Sequence, residues 1–157
     1  MSQPAEADCI FCRIAAGTEP ASMVHQDHLA VAFMDIRPVT PGHLLVVPRH
    51  HCASLVDLDP DIAAHLMRVA VRLDRAIRSS GVHCHGVMLL IADGEAAGQD
   101  VFHVHLHLFP RFPGDAVRLS ADWGRPTRGE LDEVAGRIRS GLISPGESSI
   151  MNPESRS

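Results

Sequence analysis

Three histidines stand at positions 103, 105 and 107 in the run VFHVHLHLFPR, residues 101–111, each separated from the next by one apolar residue. If the run is a strand, alternate side chains point to opposite faces. His103, His105 and His107 then share one face, and Phe102, Val104, Leu106 and Leu108 form the other, core-facing one. Along the strand the histidines are about 6.6 Å apart, from a rise of about 3.3 Å per residue. Three imidazolium ions in such a row repel one another, and like charge lowers each pKa, so part of the row is neutral and nucleophilic at neutral pH. Three readings fit this pattern. The row is the polar face of an amphipathic strand; or it holds zinc, since imidazoles at i and i+2 can share an ion; or one imidazole is a nucleophile flanked by two that orient it and supply protons.

A second chemical cluster is the pair Cys9 and Cys12, spaced C-x-x-C. Four cysteines are few for a disulfide scaffold in a chain of 157 residues. In a reducing compartment the pair is free or metal-bound rather than bridged. Eleven histidines are the one oddity of composition, and they point to site chemistry.

The totals exclude several classes. All 14 cationic side chains are arginine, and the formal net charge is −5. Without lysine there is no Schiff-base chemistry and no Walker lysine. A net acidic chain has no global field for nucleic acid or an anionic membrane, so neither is an expected partner. No apolar run reaches the length of a membrane span. The N-terminal MSQPAEAD has neither a basic region nor an apolar stretch of the kind a secretory signal needs, so the expected location is the cytoplasm. The length suits one domain.

The elements that must position these residues follow from pattern. Residues 9–16, CIFCRIAA, read as a short helical or irregular segment ended by Gly17. Short apolar runs at Ser22–His25, Leu29–Phe33, His43–Val47, Val87–Ala92 and Val101–Phe109, bounded by Pro, Gly and Asp, read as strands. Between them Asp35–Gly42 holds two prolines and is a loop. Residues 59–80 read as a long helix: Asp59 is an N-cap, Pro60 suits the first position, and Ile62, Leu66, Val69, Leu73 and Ile77 form one stripe up to Gly81. A shorter helix is expected over 128–140, with a Thr127/Glu130 capping box, a stripe of Leu131, Val134 and Ile138, and Gly141 at its end. Residues 1–8 are expected to be a flexible leader, 9–143 the domain, and 144–157, rich in Pro, Gly and Ser, a disordered tail. Strands in succession around one long helix predict an α+β domain with an antiparallel sheet. The link DGEAAGQD, 93–100, is long for a hairpin, and long loops carry function.

The segment His103-Val-His105-Leu-His107-Leu-Phe109 resembles the signature of the histidine triad (HIT) family. CIFCRIAAGTEPAS resembles that family's N-terminal segment, AFMDIRPVTPGHLLVVPRHH its nucleotide-side strand and loop, and AAGQDVFHVHLH its phosphate loop running into the triad. Together these blocks cover roughly residues 9–112, in the family's order. The resemblance implies the HIT-like fold, a five-stranded antiparallel sheet with one long and one shorter helix. It implies a hydrolase or nucleotidyl transferase that cleaves at the α-phosphate of purine nucleotide derivatives, at phosphorus–nitrogen or phosphoanhydride bonds. Within it, His105 matches the nucleophile, His107 the histidine that contacts the phosphate and helps the leaving group, and His43 a fourth histidine that hydrogen-bonds within the triad and orients the nucleophile.

Asp35 matches the acid that binds the ribose hydroxyls, and Phe33, Ile36 and Phe11, with Met34 and Ile10, match positions lining the base. Gly98, Gln99 and Asp100 match the phosphate-contacting loop, with Gln99 offering its amide and Asp100 only its backbone N–H. Two positions depart from the pattern: Asp100, where a small polar residue is common, and Ala92, where asparagine is common. Some members hold a structural zinc through residues matching Cys9, Cys12, His51 and His103, with His50 a substitute for His51; His103 then serves the metal as well as the triad. A homodimer is the implied assembly. Two alternatives remain at this level: a phosphorylase of the same superfamily acting on dinucleoside polyphosphates, and a zinc- or nucleotide-binding module without turnover.

Overall fold

The computed structural model describes residues 8–142, so the expected leader, Asp8 apart, and the expected tail over 144–157 lie outside the described residues. The chain falls into two compact units divided between Arg118 and Leu119. In the first, α1 (Ile10–Ala16) leads into β1 (Met23–Gln26), β2 (Ala30–Met34) and β3 (Leu44–Pro48). Then come the long helix α2 (Pro60–Ser79), β4 (Gly86–Leu90) and β5 (Leu106–Arg111). The five strands form one antiparallel sheet in the order β1-β2-β3-β5-β4, so β5 is inserted between β3 and β4. The second unit contains α3 (Arg128–Leu142).

Local chemistry sets these boundaries. Gly17 closes α1 in the left-handed region at φ +77°, its N–H returning to the carbonyls of Arg13 and Ile14. Asp27 Oδ1 accepts from the N–H groups of Leu29 and Ala30 and so turns β1 into β2. Asp59 caps α2 through bonds from the N–H groups of Asp61 and Ile62, with Pro60 behind it. The capping box of α3 forms as expected: Thr127 N–H donates to Glu130 Oε2 at 2.7 Å and Glu130 N–H to Thr127 Oγ1 at 3.3 Å. However, α3 runs through Gly141 to Leu142, and its stripe of Leu131, Val134 and Ile138 is exposed. A glycine inside a helix is tolerated at a modest cost.

The sheet has two covered faces. On one, Leu66, Val69, Ala70, Leu73 and Ile77 of α2 pack on Ala30, Ala32, Leu44, Val46, Leu106 and Leu108. On the other, Cys9, Phe11 and Cys12 of the α1 segment pack on Val31, Phe33, Leu45 and Val47. Strand alternation therefore sends Leu106 and Leu108 towards α2 and leaves His107, opposite Leu45, on the α1 side.

The expected strand Val101–Phe109 needs correction. Pairing begins at Leu106, and His103, Val104 and His105 precede the strand. The reason is a different set of partners: His103 N–H bonds the Val101 carbonyl and Val104 N–H the Cys52 carbonyl, which takes this segment off the sheet ladder. His103 and His105 are buried rather than spread along an open polar face, and Phe102 is only half-buried. Among the described residues, no helix is long and apolar enough to cross a membrane.

Candidate active site and metal centre

A cleft of about 370 Å³ opens on the α1 side of the sheet. Apolar walls come from Phe11 and Phe33, and polar groups from Asp35, Asp100, His105 and His107. Its size and mixed lining suit a small ligand with one apolar and one charged end. Phe11 sits edge-on to His105 at 5.2 Å between ring centroids and packs on Phe33 at 5.5 Å. Ile36 lines the mouth and is 94% exposed, so it is a free lip of the cleft rather than part of the core.

The hydrogen bonds fix which nitrogen of each histidine carries a proton, because a carbonyl can only accept. His105 Nδ1 lies 2.7 Å from the His103 carbonyl, so Nδ1 donates and Nε2 of the neutral ring holds the lone pair. His43 Nδ1 accepts from the Val39 N–H at 3.2 Å, so its Nε2 donates to His107 Nδ1 at 2.9 Å. His107 then carries its own proton on Nε2. Burial, followed by the neighbouring His105 and His43, lowers the His107 pKa to about 4, against smaller opposing pulls from Asp35 and Asp100. The His43 pKa is also lowered, by burial, with Asp35 opposing. Asp35 Oδ2 lies 3.6 Å from His43 Nε2, so Asp35, His43 and His107 form one connected group.

The loop that carries His43 is braced at both ends. Asp35 Oδ1 accepts from the Arg37 N–H at 2.7 Å, and Thr40 Oγ1 donates to the Pro110 carbonyl at 2.7 Å. Gly42 has φ +95°, and a Cβ there would stand 2.9 Å from both Pro110 and Val82. Glycine is thus required before His43 by backbone conformation and by space.

The glycine loop is arranged differently from expectation. Gln99 is buried, and its Nε2 donates to the Ala53 carbonyl at 2.8 Å and the Val101 carbonyl at 3.2 Å, while its Oε1 accepts from the Gly94 N–H at 2.8 Å. The side chain staples the loop from inside and does not offer its amide to the cleft. Gly98 adopts φ +89°, which is the conformational reason for glycine there; an added Cβ would meet nothing within 4 Å. Asp93 Oδ1 accepts from Ser54 Oγ at 3.0 Å and the Leu55 N–H at 2.7 Å, which ties this loop to the turn after β3.

Four donors meet on the far side of His103. Cys9, Cys12, His51 and His103 present ligand atoms that all lie within 4.8 Å of one another. His103 Nδ1 is 3.4 Å from Cys9 Sγ and 3.5 Å from Cys12 Sγ, and His51 Nδ1 is 3.3 Å from Cys12 Sγ. Zinc bonds of about 2.3 Å to sulfur and about 2.0–2.1 Å to nitrogen, at a tetrahedral angle, put S and N about 3.6 Å apart. The donor set therefore fits zinc in chemistry and spacing. His103 Nε2 donates to the Pro48 carbonyl at 2.9 Å, which turns Nδ1 towards the cysteines and supplies the outer bond a ligating imidazole needs. His51 Nε2 is buried without a partner. His50, the expected substitute, is exposed and outside the group.

Two positions that sequence reasoning passed over also shape this region. Arg49 Nη1 donates to the Ala15 carbonyl at 2.6 Å and its Nε to the Asp27 carbonyl, so it pins the last turn of α1 to the β1–β2 turn. Arg37 lines the cleft beside Asp100. Its place directly after Asp35-Ile36 was the available signal.

The HIT domain family matches residues 16–114. The chain belongs to the HIT family. A HIT-like protein of Mycobacterium tuberculosis is 41% identical over 131 residues, 83% of this chain and 89% of the relative. The protein named Adenylylsulfatase HINT3 of Arabidopsis thaliana is 29% identical over 157 residues, 97% of this chain and 78% of its own length. A crystal structure described as a Zn-bound histidine triad family protein from Mycobacterium smegmatis superposes with a TM-score of 0.70 at 38% identity, covering 87% of this chain and 99% of that one. The five-stranded antiparallel sheet with its helices is thus the HIT fold, and the family includes hydrolase-like and zinc-bound members.

Proposed function

We propose that this HIT protein is a hydrolase or nucleotidyl transferase acting at the α-phosphate of purine nucleotide derivatives, through a nucleotidyl-histidine intermediate on His105. One observation carries the reading: the His105 Nδ1–H is bound to the His103 carbonyl, so its lone pair lies on Nε2, in a cleft shared with His107 and Asp35. In the proposed reaction the Nε2 lone pair attacks the α-phosphorus. The bond to the leaving group breaks, and that group departs with the bonding pair, an amine also taking a proton from solvent. Water then attacks phosphorus, the N–P pair returns to Nε2, and the proton of water goes to solvent.

The other residues have proposed roles that follow from their bonds. His107, held by His43, donates Nε2–H to a non-bridging phosphate oxygen as charge builds there. Asp35 uses Oδ1 to hold Arg37 N–H and offers Oδ2 to the ribose hydroxyls. Phe11, Phe33 and Ile36 enclose the base. In the glycine loop the N–H groups of Gly98 and Gln99 close on the carbonyls of Glu95 and Gly94, so the Asp100 N–H is the proposed phosphate donor. Zinc held by Cys9, Cys12, His51 and His103 would be structural, since all four positions are filled by protein. It would fasten the α1 segment to the sheet, and Phe11 against His105.

A homodimer is proposed through the β4 edge. That strand pairs on one side only, and its Leu89 and Leu90 are exposed. Among the described residues the cysteines form no disulfide, which suits a reducing compartment, and the cytoplasm is the proposed one. The deciding experiment is turnover of adenosine 5′-phosphosulfate and adenosine 5′-phosphoramidate by the wild type and His105→Ala. A loss of at least about 10³-fold with an unchanged melting curve is expected. Full turnover by the variant rules the reading out.

A further inference from the structure

The mouth of the cleft carries an ion pair. Arg37 Nη2 lies 3.2 Å from Asp100 Oδ2, with the two side chains 82% and 64% exposed, and both residues line the cleft. They come from opposite walls: Arg37 from the β2–β3 loop, two residues after Asp35, and Asp100 from the end of the glycine loop. Each wall is anchored, the first by the Arg37 N–H bond to Asp35 and the second by the Gln99 staple.

The balance of charge gives this pair its meaning. Among the described residues lining the cleft, Asp35 and Asp100 are the carboxylates and Arg37 is the arginine. A nucleotide phosphate is anionic, and an unpaired Asp100 would repel it. The guanidinium cancels that carboxylate. An exposed pair of this kind holds its partners weakly, so an arriving anion can take Asp100's place. A guanidinium fork donates two parallel bonds to sulfate or phosphate oxygens, a geometry an ammonium does not offer.

We propose that Arg37 determines leaving-group specificity: it receives the anionic sulfate or phosphate group that departs from the α-phosphorus, and Asp100 holds the guanidinium across the cleft until substrate arrives. The proposal rests on the nucleotide reading above and narrows it to substrates with anionic leaving groups. The chemistry of departure agrees. Sulfate and phosphate leave as stable anions with the bonding pair and need no proton, whereas an amine must be protonated. Burial, with His105 and His43 beside it, keeps His107 neutral at neutral pH, so it serves as a hydrogen-bond donor and not as a strong acid.

The test measures kcat/KM on adenosine 5′-phosphosulfate, diadenosine tetraphosphate and adenosine 5′-phosphoramidate. The quantity read is the ratio of each anionic-leaving substrate to the amidate. In Arg37→Gln the ratio should fall about tenfold or more, as for loss of a charge-assisted bond. A fall in the phosphosulfate ratio alone identifies sulfate as the group received, and a fall in the tetraphosphate ratio alone identifies phosphate. In Asp100→Asn, where the guanidinium is released, both ratios should hold or rise. Unchanged ratios in Arg37→Gln, an equal loss on all three substrates, or a tenfold fall in Asp100→Asn overturns the proposal. Wild-type inactivity on all three, or turnover that survives His105→Ala, overturns the nucleotide reading itself and with it this refinement.

Discussion

The two faces of the sheet are made from alternate residues of the same strands, yet they are built on opposite principles. The α2 face is built on an apolar cluster, with Leu66, Val69, Leu73 and Ile77 set into Ala30, Ala32, Val46 and Leu108. The α1 face buries His43, His103 and His105 beside Cys9 and Cys12. On the first face stability comes from area removed from water and from close packing. On the second these three buried imidazoles find partners for their N–H groups, and the partners decide which nitrogen is left to act. His103 and His105 show how far this goes. They are two residues apart and equally buried, but His103 donates from Nε2 and presents Nδ1, while His105 donates from Nδ1 and presents Nε2. The α2 face is the platform, and the α1 face carries the candidate site.

This division can be broken in three ways. The largest effect is expected from Leu73→Ala, which leaves a cavity under α2 and should cost about 2–5 kcal/mol in urea denaturation. Turnover per folded molecule should be retained; a collapse of turnover with stability intact would show that the platform takes part in the chemistry. Next, Cys9→Ser should remove one equivalent of zinc per chain, measured by atomic emission, and lower the melting temperature, while hydrolysis per folded molecule falls less than about tenfold. Loss of turnover with the zinc still bound would contradict the separation of the two histidine groups.

The smallest effect is the pH dependence of His107. Its pKa drops from an ordinary 6.5 to about 4 in the folded protein, so the unfolded chain binds more protons between those values. Stability from this group is therefore present above about 6.5 and declines as pH falls towards about 4. Burial, then His105 and His43, lower this pKa against opposing pulls from Asp35 and Asp100, and His43 is displaced in the same direction. Imidazole titration by NMR should show His107 protonating near pH 4, with turnover falling as Nδ1 gains the proton that displaces the His43 bond. Protonation at an ordinary pKa would mean that the site is wetter than its burial implies.

Sequence by itself determined the elements and the family motif. Asp59, Pro60 and Gly81 bracket α2, Thr127 and Glu130 start α3, and the five apolar runs became the five strands within one to five residues at each end. These are signals between near neighbours, and near neighbours are what a linear pattern records. The residues gathered in the cleft and in the cysteine–histidine group were named by the resemblance to the HIT family; type and spacing alone left a polar face, a metal site and a nucleophile open. Tertiary structure alone decided how they are used. The Cys52 carbonyl takes Val104 off the ladder, the Pro48 carbonyl turns His103 towards the cysteines, and the Ala53 carbonyl claims the amide of Gln99. His51 rather than His50 joins the group, and Arg37 meets Asp100 across 63 positions. Every one of these depends on a backbone carbonyl, a side chain or a turn brought from far along the chain. A single sequence cannot display such a partner, since any residue type supplies the same carbonyl.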